Sequence, residues 1–260
     1  MKKLLAYIII ASTLLIILSA CGNSNGSADG DQAKLVIGVD DKFAPMGFRD
    51  ENNELTGFDI EYAKAAGEAM GMEVTFQPID WKTKETELSS GRIDLIWNGY
   101  TITNDRKEKV LFTKPYLENE QVIVTKADSS IDRLEDLSDK DVALQALSSA
   151  ADALNGSPVR QTVKSITEYA DNVLALTDLK AGRVDAVVID EVVIDYYMAK
   201  EEGQFKVLDE SLSSELYGIG VKKGNEALLD KLQNALNQLN DDGTAEKISQ
   251  KWFGESKVLK

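Results

Sequence analysis

Arg106 has the residue type and the position to bind a carboxylate. A guanidinium group grips a carboxylate through two parallel hydrogen bonds. Arg106 follows Thr103, which is placed to cap a short predicted helix, and helix amino ends also favour anions. A plainer interpretation is an exposed arginine that pairs with Asp105 or Glu108. The residue type alone leaves both interpretations open.

A second candidate site follows from a nine-residue phrase that occurs twice. Leu88–Ile96 and Leu179–Val187 both read as the end of a helix, a Gly-Arg turn and an apolar strand that begins after an aspartate. The first strand runs into Asn98-Gly99-Tyr100-Thr101 and the second into Asp190. Ligands of open α/β sheets bind beyond the carboxyl ends of strands, so these polar ends are candidate binding residues. The alternative is that Asp190 caps the helix that follows it. Arg92 and Arg183 within the two copies are predicted to be surface arginines.

Composition excludes several classes of function. The 260 residues include no histidine and one cysteine, which excludes a Ser-His-Asp triad and zinc sites built on histidine. The formal net charge of −15 argues against a nucleic-acid partner, because phosphate binding needs clustered lysine or arginine. We expect no metal and no cofactor. A hydrophobic share of 43% is sufficient for a folded core.

The amino-terminal segment has the layout of a secretion signal. Two lysines precede an uncharged apolar run, and Leu18-Ser19-Ala20 places small residues directly before Cys21. This pattern predicts a bacterial lipoprotein signal peptide over residues 1–20. Cys21 would then carry the lipid anchor, which would include palmitate. Residues 21–33 are polar and predict a flexible tether. We therefore expect an extracytoplasmic protein anchored to the cell membrane, of the Gram-positive surface type.

The remaining chain alternates short β-branched runs with helical stretches, which indicates an α/β fold with parallel strands. The two copies of the repeated phrase begin 91 residues apart, about the size of one small domain, so they predict two related lobes. The predicted strands are 35–39, 73–76, 95–97, 142–144 and 186–189, and the predicted helices are 59–70, 172–180 and 227–239.

Four ordered motifs carry a resemblance to a known family. They are Gly57-Phe58-Asp59-Ile60-Glu61-Tyr62-Ala63, the stretch from Gly91 through Asn98–Arg106 to Phe112–Tyr116, the second repeat copy through Asp190, and the ending Asp242-Gly243-Thr244 with Lys251-Trp252-Phe253-Gly254. In this order they resemble the bacterial extracellular solute-binding proteins that serve polar amino acid ABC transporters. The resemblance covers essentially all of residues 34–254.

The resemblance implies roles for particular residues. Arg106 would bind the α-carboxylate of an amino acid, helped by Gly99 and Thr101, and Asp190 would accept the α-ammonium group. Phe43 and Trp81 match pocket-wall positions, and Asp40 matches one that can meet the distal charge of a basic ligand. Asn98, at the end of its strand, could equally suit glutamine or another polar side chain. Core packing is the alternative for the two aromatic residues, and a strand-end turn is the alternative for Asp40.

One segment departs from the family pattern. The family commonly has a glycine before two hydroxyl residues that offer amides to the carboxylate, whereas this chain has Leu147 before Ser148 and Ser149. Leucine adopts a positive φ less readily than glycine does. The contacts predicted for Ser148 and Ser149 therefore depend on whether this loop is remodelled.

Together these observations predict a two-lobed, periplasmic-binding-protein-like fold of type II. Each lobe would be a mixed sheet flanked by helices, with one lobe at 34–117 plus 215–260 and the other at 121–211. Residues 118–120 and 212–214 would be the hinge crossings. The predicted function is capture of arginine, lysine, glutamine or a similar amino acid by hinge closure, without catalysis, and delivery to a membrane permease by a monomer. A dehydratase-like enzyme on the same scaffold and a ligand-sensing subunit for a membrane receptor are the alternatives.

Overall fold

The computed structural model describes residues 33–260. The predicted signal peptide, the Cys21 anchor and all of the predicted tether except Ala33 lie outside the described residues. Within 33–260, no helix is long and apolar enough to span a membrane.

The first sheet has five strands in the order β5-β1-β6-β14-β7. The first three of these are parallel, and β14 runs antiparallel to both β6 and β7. A separate three-stranded meander, β2-β3-β4, stands beside this sheet. The strands are β1 Lys34–Val39, β2 Lys42–Phe43, β3 Gly47–Arg49, β4 Leu55–Thr56, β5 Glu73–Pro78, β6 Leu95–Ile96, β7 Val110–Phe112 and β14 Gly220–Lys222.

The second sheet has the order β10-β9-β11-β8-β12, and β13 pairs with β8 outside this path. Strands β10, β9 and β11 are parallel, as in the first sheet, and β8 runs antiparallel to β11, β12 and β13. The strands are β8 Leu117–Lys126, β9 Asp141–Gln145, β10 Ser165–Tyr169, β11 Ala186–Asp190, β12 Phe205–Val207 and β13 Ser213–Tyr217. The fold is therefore two-lobed and mixed α/β.

Two extended strands connect the sheets. The chain leaves the first sheet along β8 and returns along β13, and the two strands pair antiparallel from Leu117 opposite Tyr217 to Gln121 opposite Ser213. The predicted crossing 118–120 lies within β8, where it faces residues 214–216. The predicted crossing 212–214 overlaps the start of β13. That these segments bend as a hinge stays a prediction.

Helices cover both sheets, and their ends follow local sequence signals. The first helix begins after Gly57, carries Asp59 and Glu61 in its first turn and ends at Gly71, which is left-handed at φ 65°. The helices are α1 Phe58–Met70, α2 Lys84–Ser90, α3 Asn104–Lys109, α4 Ser149–Gly156, α5 Asn172–Lys180, α6 Glu191–Lys200, α7 Glu226–Asp241 and α8 Thr244–Phe253. The predicted helices and strands agree with these bounds to within two residues.

The repeated phrase builds the same unit in both lobes. Each copy ends a helix at a glycine with positive φ, 77° at Gly91 and 69° at Gly182. Each aspartate of the phrase then accepts a backbone amide from the neighbouring strand, Asp94 from Val36 at 2.8 Å and Asp185 from Asp141 at 2.9 Å. In each lobe this bond joins a new parallel strand to the sheet. The repeated phrase therefore forms the same structural unit in both lobes.

Candidate functional site

Arg106 is a buried cation that has no anionic partner among residues 33–260. Its side chain donates from Nη1 to the Thr101 carbonyl at 2.9 Å, and its guanidinium carbon lies 4.8 Å from the centre of the Tyr100 ring. None of the ion pairs within residues 33–260 includes Arg106. The surface-pair interpretation is therefore wrong: Asp105 pairs with Lys109 instead, and Arg106 is 4% exposed.

The predicted local structure around Arg106 is confirmed. The Thr103 side chain caps α3 by accepting the backbone N–H of Arg106 at 3.2 Å. Arg92 and Arg183 are exposed and pair with Glu87 and Asp178, as predicted for surface arginines. The contrast matters because a buried guanidinium without a carboxylate pays a desolvation cost that a bound anion would offset.

Asp190 is a buried acidic residue that has no cationic partner within residues 33–260, whereas Arg106 is a buried cation. It stands directly before α6, but its side chain makes no capping hydrogen bond to that helix. The carboxylate instead accepts from Tyr217 Oη at 2.6 Å, Gln121 Nε2 at 2.8 Å and Asn119 Nδ2 at 2.9 Å. The capping alternative is therefore wrong, and three neutral donors hold the side chain in place.

Glu215 lies beside Asp190 and shares its donors. Its Oε2 accepts from Gln121 Nε2 at 3.1 Å and from Thr101 Oγ1 at 2.9 Å. Burial, and next the charge of Glu215, raise the pKa of Asp190 to about 7. In the part of the chain that the structure describes, no lysine or arginine forms an ion pair with either carboxylate. A bound ammonium group would relieve this excess negative charge.

Hydrogen bonds join the cation and the anions into one cluster that spans the two lobes. Thr101 accepts Arg106 at its carbonyl, while its hydroxyl contacts Glu215 and Ser149 Oγ, the latter at 3.0 Å. Gln121 contacts Ser149 Oγ at 3.2 Å as well as Asp190. The predicted residues Thr101, Arg106, Ser149 and Asp190 are thus brought together.

Asp40 and Gln145 form a second polar contact between the lobes. Gln145 Nε2 donates to Asp40 Oδ2 at 2.7 Å across the lobes, and Asp40 Oδ1 accepts the Lys42 amide at 3.0 Å. Asp40 therefore makes the strand-end turn and also reaches the other lobe. Burial raises the pKa of Asp40 to about 6, with the Gln145 and Lys42 hydrogen bonds opposing the shift. Beside it, Lys42 Nζ forms an ion pair with Asp171 at 2.8 Å.

Asn98 has an amide whose two ends have no partner. Both Oδ1 and Nδ2 are buried and make no hydrogen bond with any atom of residues 33–260. Buried amide groups are nearly always satisfied in native proteins, so an unpaired donor and acceptor together point to a bound polar group. Gly47 packs against Asn98, because a Cβ at this glycine would stand 2.2 Å from Oδ1.

The other predicted site residues have structural contacts of their own. Phe43 and Trp81 are buried, and Trp81 packs edge-on against Tyr100 at 5.9 Å. Gly99 has φ 57°, and its amide donates to Asp59 Oδ2 at 2.8 Å, which leaves its carbonyl for other contacts. These contacts agree with core packing for Phe43 and Trp81, and their roles in binding stay predictions.

The loop at Leu147, which differs from the family pattern, has a left-handed turn even though the residue is leucine. Leu147 has φ 53° and a side chain that is 59% exposed. Ser148 caps α4, since its hydroxyl accepts the Ala151 amide at 3.3 Å and donates to the Gln145 carbonyl at 2.7 Å. The Ser148 hydroxyl is thus committed locally, and Ser149 supplies the hydroxyl of the cluster.

Sequence reasoning missed several members of the cluster. Asn119 and Glu215 lie in or next to the segments predicted as hinge crossings, and Gln121 and Tyr217 belong to the same two strands. A signal was present in the polar run Glu118-Asn119-Glu120-Gln121, which interrupts an otherwise apolar strand. Gln145 also carried a signal, since it is the polar residue at the carboxyl end of the apolar strand β9.

The arrangement suits recognition by fixed charges. Among the described residues, no group of three or more metal-ligating side chains is close enough to hold a metal ion. The cluster offers one guanidinium at one end and two carboxylates at the other, held by neutral hydrogen-bond donors. A molecule with a carboxylate and an ammonium group complements both ends.

Known proteins resemble this chain in sequence and in overall fold. The arginine-binding extracellular protein ArtP of Bacillus subtilis is 32% identical over 256 residues, covering 97% of this chain and 98% of ArtP. A substrate-binding protein of an ABC uptake transporter from Streptococcus pneumoniae, solved with bound histidine, is 40% identical with a TM-score of 0.85, covering 87% of this chain and 95% of that chain. An ancestral arginine-binding protein, solved with arginine, is 40% identical with a TM-score of 0.81, covering 86% of this chain and 99% of that chain.

The family match spans nearly all of the described residues. Residues 35–255 match the model of the bacterial extracellular solute-binding proteins, family 3. This range includes both sheets, Arg106, Asp190 and the loop at Leu147. The similar proteins named above are binding proteins. The chain belongs to the bacterial extracellular solute-binding proteins, family 3.

Proposed function

We propose that this protein captures a free polar or basic L-amino acid outside the membrane and delivers it to an ABC transporter permease. One observation carries the proposal: within residues 33–260, the buried Arg106 without an anion and the buried Asp190 beside a partly buried Glu215, both without a cation, belong to one hydrogen-bonded cluster. The α-carboxylate would bind Arg106 and the amino end of α4. The α-ammonium would bind Asp190 and Glu215.

Binding would act by closing the two lobes. Arg106 belongs to the lobe of the first sheet and Asp190 to the lobe of the second, so a ligand that contacts both interacts better with the closed form. Only such differential affinity shifts the equilibrium towards closure. The lobes would comprise 34–117 plus 215–260 and 121–211, and the crossings 118–120 and 212–214 would bend. Closure would also remove water from both ion pairs, which strengthens them.

The far end of the pocket favours a polar or cationic side chain. Asp40 has no ion-pair partner within residues 33–260, and Asn98 offers an unpaired donor and acceptor. Arginine and lysine would use Asp40, whereas glutamine would use Asn98. The arginine-bound and histidine-bound structures of similar proteins support this range of ligands. The chain would act as a monomer and would carry out no chemistry on its ligand.

The proposal includes anchoring at the cell surface. Cleavage before Cys21 and lipidation of its thiol would leave the folded body on a polar tether outside the membrane. Radiolabelled palmitate should enter the wild-type protein in its host and should not enter Cys21→Ser. Equal labelling of both proteins would contradict the anchor.

A thermal-shift screen of the twenty amino acids tests the binding proposal. A ligand present at 100 times its dissociation constant adds about 2.7 kcal/mol to the unfolding free energy, so true ligands stand out clearly. We expect one or more of arginine, lysine, histidine and glutamine to raise the melting temperature. Failure of every amino acid to do so would overturn the proposal.

Calorimetry with matched arginine variants then locates the site. Arg106→Ala should weaken binding by roughly 30-fold or more, because truncating one partner of a buried charged pair costs about 2 to 5 kcal/mol. Arg92→Ala is the control, since Arg92 is exposed and pairs only with Glu87. Equal affinities for Arg106→Ala and the wild-type protein would place the ligand elsewhere. NMR of the ligand before and after incubation would detect turnover if the protein were an enzyme.

A further inference from the structure

Lys84 is a buried lysine that reaches from one lobe to the other. It begins α2 in the lobe of the first sheet, and its side chain is 2% exposed. Its ammonium donates to the Leu147 carbonyl of the other lobe at 2.9 Å and to the Trp81 carbonyl at 3.2 Å, and lies 3.5 Å from Glu85 Oε1. A buried ammonium has three protons to satisfy. Only the closed arrangement of the lobes supplies its shortest contact.

Leu147 adopts a backbone conformation that leucine disfavours. Its φ of 53° is left-handed, which costs a residue with a Cβ about 1 to 2 kcal/mol. Its side chain is 59% exposed, so packing offers little to offset this cost. The hydrogen bond from Lys84 to the Leu147 carbonyl is therefore a contact that can hold this turn in place.

The same hydrogen bond sets the direction of the next amide. In a planar trans peptide the carbonyl and the N–H point in opposite directions. With the Leu147 carbonyl held by Lys84, the N–H of Ser148 points away from Lys84. Ser148 caps α4, whose first amides have no partner inside the helix. The orientation of this anion-binding helix end thus depends on Lys84.

We propose that Lys84 is a positioning residue for ligand capture, which closes onto the Leu147 carbonyl and so orients the amino end of α4 for the ligand's α-carboxylate. This inference rests on the proposed function. Lys84 acts through the peptide between Leu147 and Ser148 and need not touch the ligand. The left-handed conformation of Leu147, which leucine disfavours, makes this support necessary.

The pKa of the Lys84 ammonium is expected to differ between the open and closed forms. Burial, and next the nearby Arg106, lower its pKa to about 8, while Glu85 and Asp152 oppose the shift. An exposed lysine in the open form would keep a pKa near 10.5. Closure would therefore release part of a proton at pH 9, and this release favours closure as pH rises. A lysine buried equally in both forms would release none.

The test is ligand calorimetry on Lys84→Met with two controls. We expect Lys84→Met to weaken binding about tenfold or more, since hydrogen bonds from charged donors contribute about 1.5 to 3 kcal/mol. Lys84→Gln, which keeps a donor, should lose less, and it is the variant to measure if Lys84→Met does not fold. Lys82→Met replaces an exposed lysine two residues away and should leave the affinity unchanged.

A double-mutant cycle with Leu147→Gly separates positioning from a general effect on the fold. Glycine adopts the left-handed turn without penalty, so Lys84→Met should cost clearly less in the Leu147→Gly background than in the wild type. Equal losses in both backgrounds would overturn the proposal, as would an unchanged affinity of Lys84→Met. If the wild-type protein bound no amino acid, the proposed function would fail and this inference with it.

Proton release gives a further readout. Titrations at pH 9 in two buffers of different ionisation enthalpy measure the protons exchanged on binding. The ligand's own amine contributes equally to both proteins, so the difference between the wild type and Lys84→Met isolates Lys84. We expect greater release from the wild type, and equal release would contradict a lysine that becomes buried on closure.

Discussion

Neutral side chains, rather than opposite charges, hold the charged groups of the cleft. Asp190 is fixed by an amide from each of Asn119 and Gln121 and by the Tyr217 hydroxyl. Arg106 is fixed by a carbonyl and an aromatic ring. Neutral donors and acceptors orient a charge without cancelling it, so the charge stays available to a ligand. The charges are thereby prepared for partners that arrive from outside.

Asp190 gives a prediction at the residue scale with a defined sign. Its pKa of about 7 exceeds the ordinary value of 3.8, so below about pH 7 a proton competes with the ligand's ammonium. Affinity should fall as pH falls from 8 to 6, approaching about tenfold per pH unit below the pKa. Asp190→Asn should bind weakly at every pH and lose most of this dependence. Calorimetry across the pH range measures both effects.

The control for Asp190→Asn is Glu202→Gln, which removes an exposed carboxylate that makes no hydrogen bond to the cluster. It should keep both the affinity and the pH dependence of the wild type. Asp40 also titrates, with a pKa of about 6, but it is present in all three proteins. A pH dependence that survives in Asp190→Asn unchanged would show that another group binds the ammonium.

At the scale of elements, sequence patterns predicted what is local and missed what is paired over long distances. Helix α5 and the repeated helix-turn-strand units follow from caps, glycines and periodicity within about ten residues. Gln121 and Glu215 meet because β8 pairs with β13 across about ninety residues of sequence. No local pattern specifies that register. The positive φ of Leu147 was also beyond prediction, since residue preference opposes it.

Of the charged residues of the candidate site, some were predicted from the sequence and one was missed. The resemblance to the family indicated Arg106, Thr101 and Asp190, and the structure brings them into one cluster. Glu215 was missed because it follows a segment that was assigned to a hinge crossing. An extended segment can connect two lobes and line their cleft at once.

Asp59 on α1 links the motif Gly57–Ala63 to the cleft. Its carboxylate is buried and accepts the Gly99 amide at 2.8 Å, Tyr116 Oη at 3.0 Å and Trp97 Nε1 at 3.2 Å. Sequence reasoning assigned this motif to the fold and not to the pocket. The structure shows that it also fixes the segment between Asn98 and Thr101. The start of helix α1 and the shape of the candidate site are thus linked through the Asp59 carboxylate.

We predict that Asp59→Asn weakens ligand binding without direct contact and changes how stability depends on pH. Burial raises the pKa of Asp59 to about 7, so the folded chain holds this proton more tightly than the unfolded chain does. The resulting stabilisation is present below about pH 4 and is lost as pH rises through about 7. Urea unfolding at pH 5 and pH 8 should show a smaller difference for Asp59→Asn than for the wild type.

Glu61→Gln serves as the matched control for Asp59→Asn, because Glu61 lies on the same helix and pairs with the exposed Lys251. This variant should keep the wild-type pH dependence and affinity. If Asp59→Asn and the wild type lost the same stability between pH 5 and pH 8, Asp59 would not carry the buried proton.

At the scale of the whole molecule, direct contacts hold the lobes together on several sides of the cleft. Gln145 with Asp40, Thr101 with Ser149, Lys84 with Leu147 and Lys42 with Asp171 all join residues of different lobes. The Gln145–Asp40 and Thr101–Ser149 contacts are buried, the Lys84–Leu147 contact is partly buried, and Lys42 is largely exposed. Contacts of this kind give the chain an intrinsic tendency to close, to which a ligand adds its own contribution.

The Lys42–Asp171 pair, in which the lysine is exposed and the aspartate is buried, makes this tendency measurable. We predict that Lys42→Met shifts the ligand-free protein towards the open form and weakens binding by about fivefold or more, because it leaves the buried Asp171 carboxylate without its cation. Added salt should weaken the wild type towards the variant, because screening acts on exposed charges. Small-angle X-ray scattering without ligand should show a larger radius of gyration for Lys42→Met.

Lys109→Met removes an exposed pair within one lobe and should change neither the affinity nor the radius of gyration. Identical scattering from Lys42→Met and Lys109→Met would mean that the pair does not bias closure, and the buried contacts alone would then set the closed state.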